Sequence, residues 1–538
     1  MVARSIHGAM RGAGAAALAG ALALTAAACS NPGGESGGKG ATAARETAVV
    51  GIAYEPETLS PLLGYGKDGN SKLFDGLLTF DAQMALKPAL AVALPEVSAD
   101  RLTYTYKLRE GVQFSDGQPF TAKDVVFTYS TILDPKTNNP SKGELDAIKE
   151  VRADRDGTVV FTLKYPYAPF ARRTVLPIVP EHIAGKQDVN TGDFATAPVG
   201  TGPYKLLKWS RSEKIAFEAN PSYWGGAPKV KKFTMAIIKD DDVRATRLRS
   251  GDLDGAILPP NLAQGFEKDK HKKTHTAKTY DYRNVTLPTG NKVTGDTAVR
   301  RALDLAVDRK AMADKILDGA GKPAYGPVPT GSPWFAKGTE RPHDPAAAQK
   351  ILDEAGWKPG ADGIREKNGV RAAFPLWYLS GDKLRQDHAL AYASDAKKAG
   401  IDITTQSGTW EVIEPKMKDE AVLAGGGSPG DPDFDQYTLL KSSLAGDGFN
   451  NMAWYADPAV DKALDDGRRS GDTAVRKAAY DTIQRELVKN PGYTFLTHID
   501  HLYVVNDRWD GLSTQTEPHD HGLAAGPWWN VETWTPKK

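Results

Sequence analysis

The chain has 538 residues, with 68 Lys and Arg against 67 Asp and Glu, a formal net charge of +1. Such a balance leaves no basic footprint for nucleic acid. Cys29 is the one cysteine, which excludes a disulfide within the chain and any cysteine-based metal cluster.

The N-terminal residues read as a targeting segment. Arg4 and Arg11 precede an uncharged run, Ala15 to Ala28, that is too short to span a bilayer. Ala26, Ala27 and Ala28 form a small-residue cleavage site, so 1–28 is assigned as a signal peptide. Cys29 follows directly and resembles the lipidation residue of a bacterial lipoprotein, although Ala26 stands where such leaders usually carry Leu. Residues 29–46 begin with a Gly- and Ser-rich stretch and are expected to form a flexible tether. The remaining chain exceeds the usual size of one core, so two or more lobes are expected.

Strand-like and helix-like segments then alternate, which predicts an α/β chain. Leu102, Tyr104, Tyr106 and Leu108 alternate with polar residues as a half-buried strand, and Val159, Phe161 and Leu163 repeat the pattern. Between them, Gly111 and Asp116-Gly117 supply turns, and Pro119 ends the pairing. Thr121 is a candidate N-cap with Asp124 three residues on, and Val125, Tyr129 and Ile132 fall on one helical face. Further helices are predicted after Asp240, from Asp296 through Leu317, after Asp344-Pro345 to Gly356, and from Asp472 to Asn490.

The block Leu108 to Tyr129 closely resembles the signature of the family-5 extracytoplasmic solute-binding proteins, the peptide/nickel-type receptors of ABC importers. Other landmarks stand in that family's order: Pro198 to Lys205, Asn220 to Trp224, Ser250 to Asp254, Val299 to Arg309, Ala348 to Trp357 and Gly430 to Asp433. The resemblance implies an α/β, two-lobed periplasmic-binding-protein-like fold with the ligand held in a cleft between hinged lobes. Lobe I is expected from 47–75, 190–287 and 491–538, an inserted subdomain from 76–189 and lobe II from 288–490. The implied function is capture of a small solute, peptide-like or related, for delivery to a membrane permease with its ATPases. The expected protein is a monomer without cofactor, held by a lipid on Cys29 to the outer face of the cell membrane.

Motifs for chemistry fail on their own terms. Gly426 to Gly430 spells G-x-S-x-G around Ser428, but Pro429 has no N–H to help form an oxyanion hole. Ser380 to Lys383 spells S-x-x-K without its partner motifs. Asp431, Asp433 and Asp435 open like a calcium loop, but Gln436 and Ser442 occupy the Gly and Glu positions. His498 with His501, and His519 with His521, are close pairs of a kind that can bind nickel or zinc; no metal ligand is assigned to them. A secreted peptidase or glycosidase, and a receptor that senses without importing, stay open as alternatives.

The resemblance places ligand-binding candidates at Gly200, Thr201 and Gly202, at Tyr282, Arg283 and Asn284, at Trp377 and Tyr378, at Trp410, and at Ser428, Asp431 and Asp433. Peptide-binding relatives resemble W-x-x-D-x-x-D/E-P in the last of these segments, and the first Asp pairs with the ligand's ammonium. Counted back from Asp431-Pro432, the Trp position is Gly425 and that Asp position is Ser428. A hydroxyl does not replace a carboxylate there, because charge-assisted bonds are about twice as strong as neutral ones. The ligand is therefore expected to be gripped otherwise: by Asp431 or Asp433 after a loop shift, or as a modified peptide, an opine-like compound, a sugar or a chelated metal.

Overall fold

Two separate sheets carry the chain, in a computed structural model that describes residues 46–155, 157–427, 430–519 and 525–537. The first sheet is built on a parallel core. Thr47–Ile52 pairs in parallel with Lys232–Ile237 on one side and Gly255–Leu258 on the other. Antiparallel strands Lys214–Ala219 and Tyr204–Ser210 extend one edge, and His501–Asn506 and Lys272–Ala277 extend the other. Ala48, Val50 and Ile52 are buried, as the apolar run of a covered parallel strand requires.

The second sheet has six strands in the order Gly321–Pro323, Tyr493–Ile499, Tyr282–Thr286, Ala421–Gly426, Ala373–Leu379 and Asp402–Gly408. The last three run parallel. Its two faces bury different cores. One packs Leu303, Leu376, Tyr392 and Ile401, the other Tyr282, Leu440, Tyr480 and Phe495.

The segment between the first two strands of the first sheet forms its own four-stranded antiparallel sheet, Glu96–Val97, Thr103–Lys107, Thr158–Leu163 and Ile148–Asp154. The helix Ala122–Leu133 covers it and starts as predicted. The Thr121 side chain accepts from the backbone of its first turn, Asp124 Oδ2 accepts from Thr121 N at 2.8 Å, and Val125, Tyr129 and Ile132 are buried.

Two expectations need correction. Tyr282–Thr286 and Tyr493–Ile499 belong to the second sheet, so the chain crosses between lobes near 278–281 and at Asp500, not at 288 and 491. The two strands pair on both sides of a register shift at Arg283/Asn284. The helix expected to run from Asp296 through Leu317 also breaks. It ends at Ala306, Val307 is extended, and Asp308 caps a second helix, Arg309–Lys315, by accepting from Ala311 N. Among the described residues no helix is long and apolar enough to cross a membrane.

Candidate functional site

In each sheet the parallel strands end on loops that carry polar side chains, the usual position of a ligand crevice in α/β sheets. In the first lobe these loops carry Tyr54 and the cap residue Asp240 with Asp241 behind it. In the second they carry Asp382, Thr409 with Trp410, and Gly430 with Asp431. The two sets face one another electrostatically. Burial raises the Asp241 carboxyl, Arg244 opposes that shift, and Asp382 of the other lobe adds to it. Burial also works against the Arg283 charge, but Asp281, Asp382 and Tyr54 together outweigh it and raise its pKa. Arg283 thus lies in the second lobe within electrostatic reach of a first-lobe loop.

The expected ligand residues fall into three kinds of place. Gly200, Thr201 and Gly202 form a backbone seam inside the first lobe. A Cβ at Gly200 would sit 2.1 Å from Leu73 O, and one at Gly202 would sit 2.5 Å from Leu73 C. Buried Thr201 donates its hydroxyl to Asp75 Oδ2 at 3.1 Å, and Ser115 N of the signature block donates to Gly200 O at 2.9 Å. Asp75 keeps some exposure but is closely surrounded. Burial raises its pKa to about 6, against bonds from Trp224, Thr201 and Tyr223.

Trp377, Trp410 and Trp454 gather on a small core of Ile413, Met417 and Val422. Trp377 Nε1 donates to Glu420, and the Trp410 ring meets exposed Phe449 edge-on at 5.1 Å. Tyr378 points to the opposite face and packs with Leu376 and Tyr392, as strand alternation dictates.

The remaining candidates lie around the 282–286 strand and the loop after Gly426. Tyr282 is buried edge-on to Phe495 (5.2 Å) and His498 (6.0 Å). Asn284 is buried, with neither amide atom partnered. Asp431 caps the helix Pro432–Leu440 and takes a bidentate pair from Arg476 at 2.7 and 3.1 Å. Asp433 accepts from Arg468 Nε at 2.9 Å, Arg468 Nη2 at 3.1 Å and Tyr167 OH at 3.0 Å. Ser428 and Cys29 lie outside the described residues.

Residues 85–447 match the family described as bacterial extracellular solute-binding proteins, family 5 Middle. The chain belongs to this family. It is 67% identical over 513 residues to Protein XP55 of Streptomyces lividans, covering 95% of this chain and 94% of that one. Among solved structures it is similar to NikZ of Campylobacter jejuni in complex with Ni(L-His), at a TM-score of 0.84 and 30% identity over 91% of this chain and 99% of that one. It is also similar to the oligopeptide-binding protein AppA of Bacillus subtilis in complex with a nonapeptide, at a TM-score of 0.80 and 28% identity, again over 91% and 99%. As a family-5 protein it is an extracytoplasmic receptor that binds a small solute between its lobes for an ABC importer.

Two polar clusters join the lobes of this family-5 receptor. At the hinge, Asp281 lies between Arg283 Nη1 (2.5 Å), His519 Nδ1 (2.7 Å) and His501 Nε2 (3.1 Å), and His501 Nδ1 donates to Glu517 at 2.5 Å. Burial disfavours the His501 cation, but Glu517 and Asp281 outweigh it and lift the pKa to about 9. The second cluster joins the inserted subdomain to the second lobe. Besides the Tyr167–Asp433 bond, Ala168 N donates to Arg468 O at 3.0 Å, and the Arg173 guanidinium lies 3.8 Å above the Phe434 ring.

Sequence reasoning did not expect His498 and Gln436 to be buried polar side chains of the second lobe. His498 was visible only as a neighbour of His501, yet the two point into different surroundings because they belong to different strands. Gln436 entered only as a residue that spoils a calcium loop. Among the described residues no three His, Cys, Asp or Glu are arranged to hold a metal ion.

Proposed function

We propose that this receptor captures a small solute whose recognition does not depend on an ammonium–carboxylate pair in the loop after Gly426. One observation carries the reading. Both acids at the end of that loop are already held, Asp431 by Arg476 and Asp433 by Arg468, while the position in line for an ammonium partner is Ser428. Freeing either acid would strand a buried arginine. Relatives of this fold hold ligands as different as a nonapeptide and a nickel–histidine complex, so the scaffold itself does not fix the ligand class. Tyr282, Arg283, Asn284 and Trp410 supply the second-lobe wall in this reading, and Tyr54 faces them from the first lobe. Binding stabilises the joined lobes through contacts that exist only when they meet.

Diacylation of Cys29 holds the monomeric receptor to the outer face of the membrane, where it meets its permease. Cys29 directly follows the small-residue cleavage site and precedes a Gly- and Ser-rich stretch, which supports that assignment.

Native mass spectrometry of the purified protein, followed by titration of the Ser428→Asp variant with di- and tripeptides, tests the ligand reading. The expected result is a co-purified solute other than an ordinary peptide, and a gain of peptide binding in the variant. Tight peptide binding by the native protein, with no gain on substitution, would overturn it.

A further inference from the structure

Arg283 and Arg385 share one corner of the second lobe, and each leaves the same edge of its guanidinium open. Arg283 lies directly opposite Gly425 on one neighbouring strand and Thr497 on the other, so its side chain points to the face that carries the Thr497 hydroxyl. That hydroxyl is 2.9 Å from His388 Nε2. Arg385 precedes His388 by three residues on one buried face of the helix Lys383–Lys398. The two arginines are 4% and 5% exposed.

Each is anchored to one acid through Nη1. Arg283 Nη1 donates to Asp281 at 2.5 Å and to Tyr282 O at 3.2 Å. Arg385 Nη1 donates to Asp382, which also caps the helix by accepting from Arg385 N at 2.8 Å. Among the described residues no hydrogen bond of either side chain leaves Nε or Nη2, and both Nε atoms are buried.

That open edge is the one that forks a carboxylate, because Nε–H and one Nη2–H are parallel and match its two oxygens. Elsewhere in this lobe the same edge is filled. Arg468 holds Asp433 through Nε at 2.9 Å and Nη2 at 3.1 Å. An unpaired donor on a buried cation costs more than one on a neutral amide, and two of the same kind in one corner are not explained by packing. The anchors do not spend the positive charge entirely. Asp281 is shared with His501 Nε2 and His519 Nδ1, so it does not serve Arg283 alone.

Both arginines stand at the crevice end of the sheet. Arg385 lies in the first turn after Asp382, and Gly425 lies at the end of the strand Ala421–Gly426. Gly425 keeps the corner clear. A Cβ there would sit 2.8 Å from Arg283 Nη1 and 2.7 Å from His519 Cε1, so a larger residue would push the guanidinium off its anchor.

We propose that the open edges of Arg283 and Arg385 form an anion subsite of this receptor, and that the subsite takes a carboxylate of the solute. The assignment rests on the reading above and deepens it: a solute that needs no ammonium partner is recognised by its acid instead.

The test uses the full mature protein and matched probes without a free ammonium. They are an N-acetyl dipeptide and its C-terminal amide, nickel–histidine and nickel–histidinamide, and a uronic-acid disaccharide with its neutral counterpart. Calorimetry compares the native protein with Arg283→Lys and Arg385→Lys, and native mass spectrometry identifies any co-purified solute. Lysine keeps the charge but cannot supply the parallel N–H pair. The expected result is at least tenfold preference for the acid of one pair, or a co-purified carboxylic acid. Each variant should cut that preference to threefold or less, or lose the co-purified acid, with an unchanged circular dichroism spectrum. Neutral members binding as tightly as acids, a co-purified solute without a carboxylate, or a preference that survives in both variants would overturn the subsite and leave the receptor reading standing. Tight binding of unblocked peptides that disappears on N-acetylation would overturn that reading, and the subsite with it. No binding of any probe, with no co-purified solute, would count against both. Should the lysine variants fail to fold, Gly425→Ala crowds Arg283 without changing a charge, and it should weaken the acid at least threefold while sparing its neutral partner. Equal affinities for the acid in Gly425→Ala and the native protein would overturn the subsite.

Discussion

Asp433 and Gln436 are one turn apart on the same helix, and both are fully shielded from solvent. Asp433 has three hydrogen bonds, from Arg468 and from Tyr167 of the inserted subdomain. Gln436 has none from the protein. Equal burial with opposite satisfaction separates two uses of polarity. A buried charge is retained only when a partner comes with it, so Asp433 belongs to the framework that joins the lobes. A neutral amide can stay buried and open at a smaller cost, which leaves its bonds available to something that arrives later.

The largest effect should come from breaking the satisfied side of this contrast. Asp433→Ala removes the bidentate partner of Arg468 and the acceptor for Tyr167, leaving a buried guanidinium uncompensated. The expected loss is about 3–5 kcal/mol, read as a lower denaturant midpoint with increased proteolysis at the junction of the inserted subdomain and the second lobe. A midpoint within error of the native value would mean that Arg468 recovers its hydration on the spot, and the division between paired charge and open amide would lose its basis.

The hinge offers a graded test of the same idea, because its pairing depends on pH. The folded His501 pKa of about 9 lies above the ordinary value near 6.5. A raised cation contributes fully below its unfolded pKa, and the contribution disappears as pH rises through the folded one. Stability should therefore decline between about pH 6.5 and 9, by on the order of 3 kcal/mol for a shift of this size. Thermal unfolding scanned across that window should show the decline in the native protein and little of it in His501→Gln. An equal slope in both would assign the effect to other groups. His498, in the second sheet, adds little in the same window, because burial lowers its folded pKa to about 4 and above about pH 6.5 the ring is mostly neutral in the unfolded chain as well.

Much of the framework was legible in the sequence, because local chemistry determined it. Thr121 with Asp124, Asp344 with Pro345, and Asp472 each cap the helix they were expected to cap, and Tyr104, Tyr106, Val159 and Phe161 are buried as alternation predicted. The break at Val307 was not seen. The apolar spacing continues past it, and only the competing cap at Asp308 ends the first helix. The lobe crossings were misplaced because sheet membership is a long-range property. Nothing local in Tyr282–Thr286 says that it pairs with residues more than two hundred positions away. The roles of Asp431 and Asp433 were illegible for the same reason, since Arg468 lies one α-helix further on, Arg476 two, and Tyr167 comes from another subdomain. Gln436 was hidden by a different cause. An absence of partners leaves no trace in a residue pattern.

The smallest expected effect sharpens the contrast most. Asn284 is as buried as Asp433 and stands between Ala424 and Phe495 on neighbouring strands, with both amide atoms open. Leucine has nearly the same branched shape. Asn284→Leu removes two unsatisfied polar atoms and adds apolar contact with Phe495. Replacing an open buried polar group by an apolar one of similar shape is nearly neutral or stabilising, so the change should stay within about 1 kcal/mol of the native stability, on either side. Equilibrium denaturation compared with Asp433→Ala under the same conditions measures the difference directly. A loss in Asn284→Leu as large as that in Asp433→Ala would mean that an ordered water satisfies the amide as part of the fold. The open atoms beside the second-lobe wall would then be structural, and the distinction between the two kinds of buried polarity would disappear.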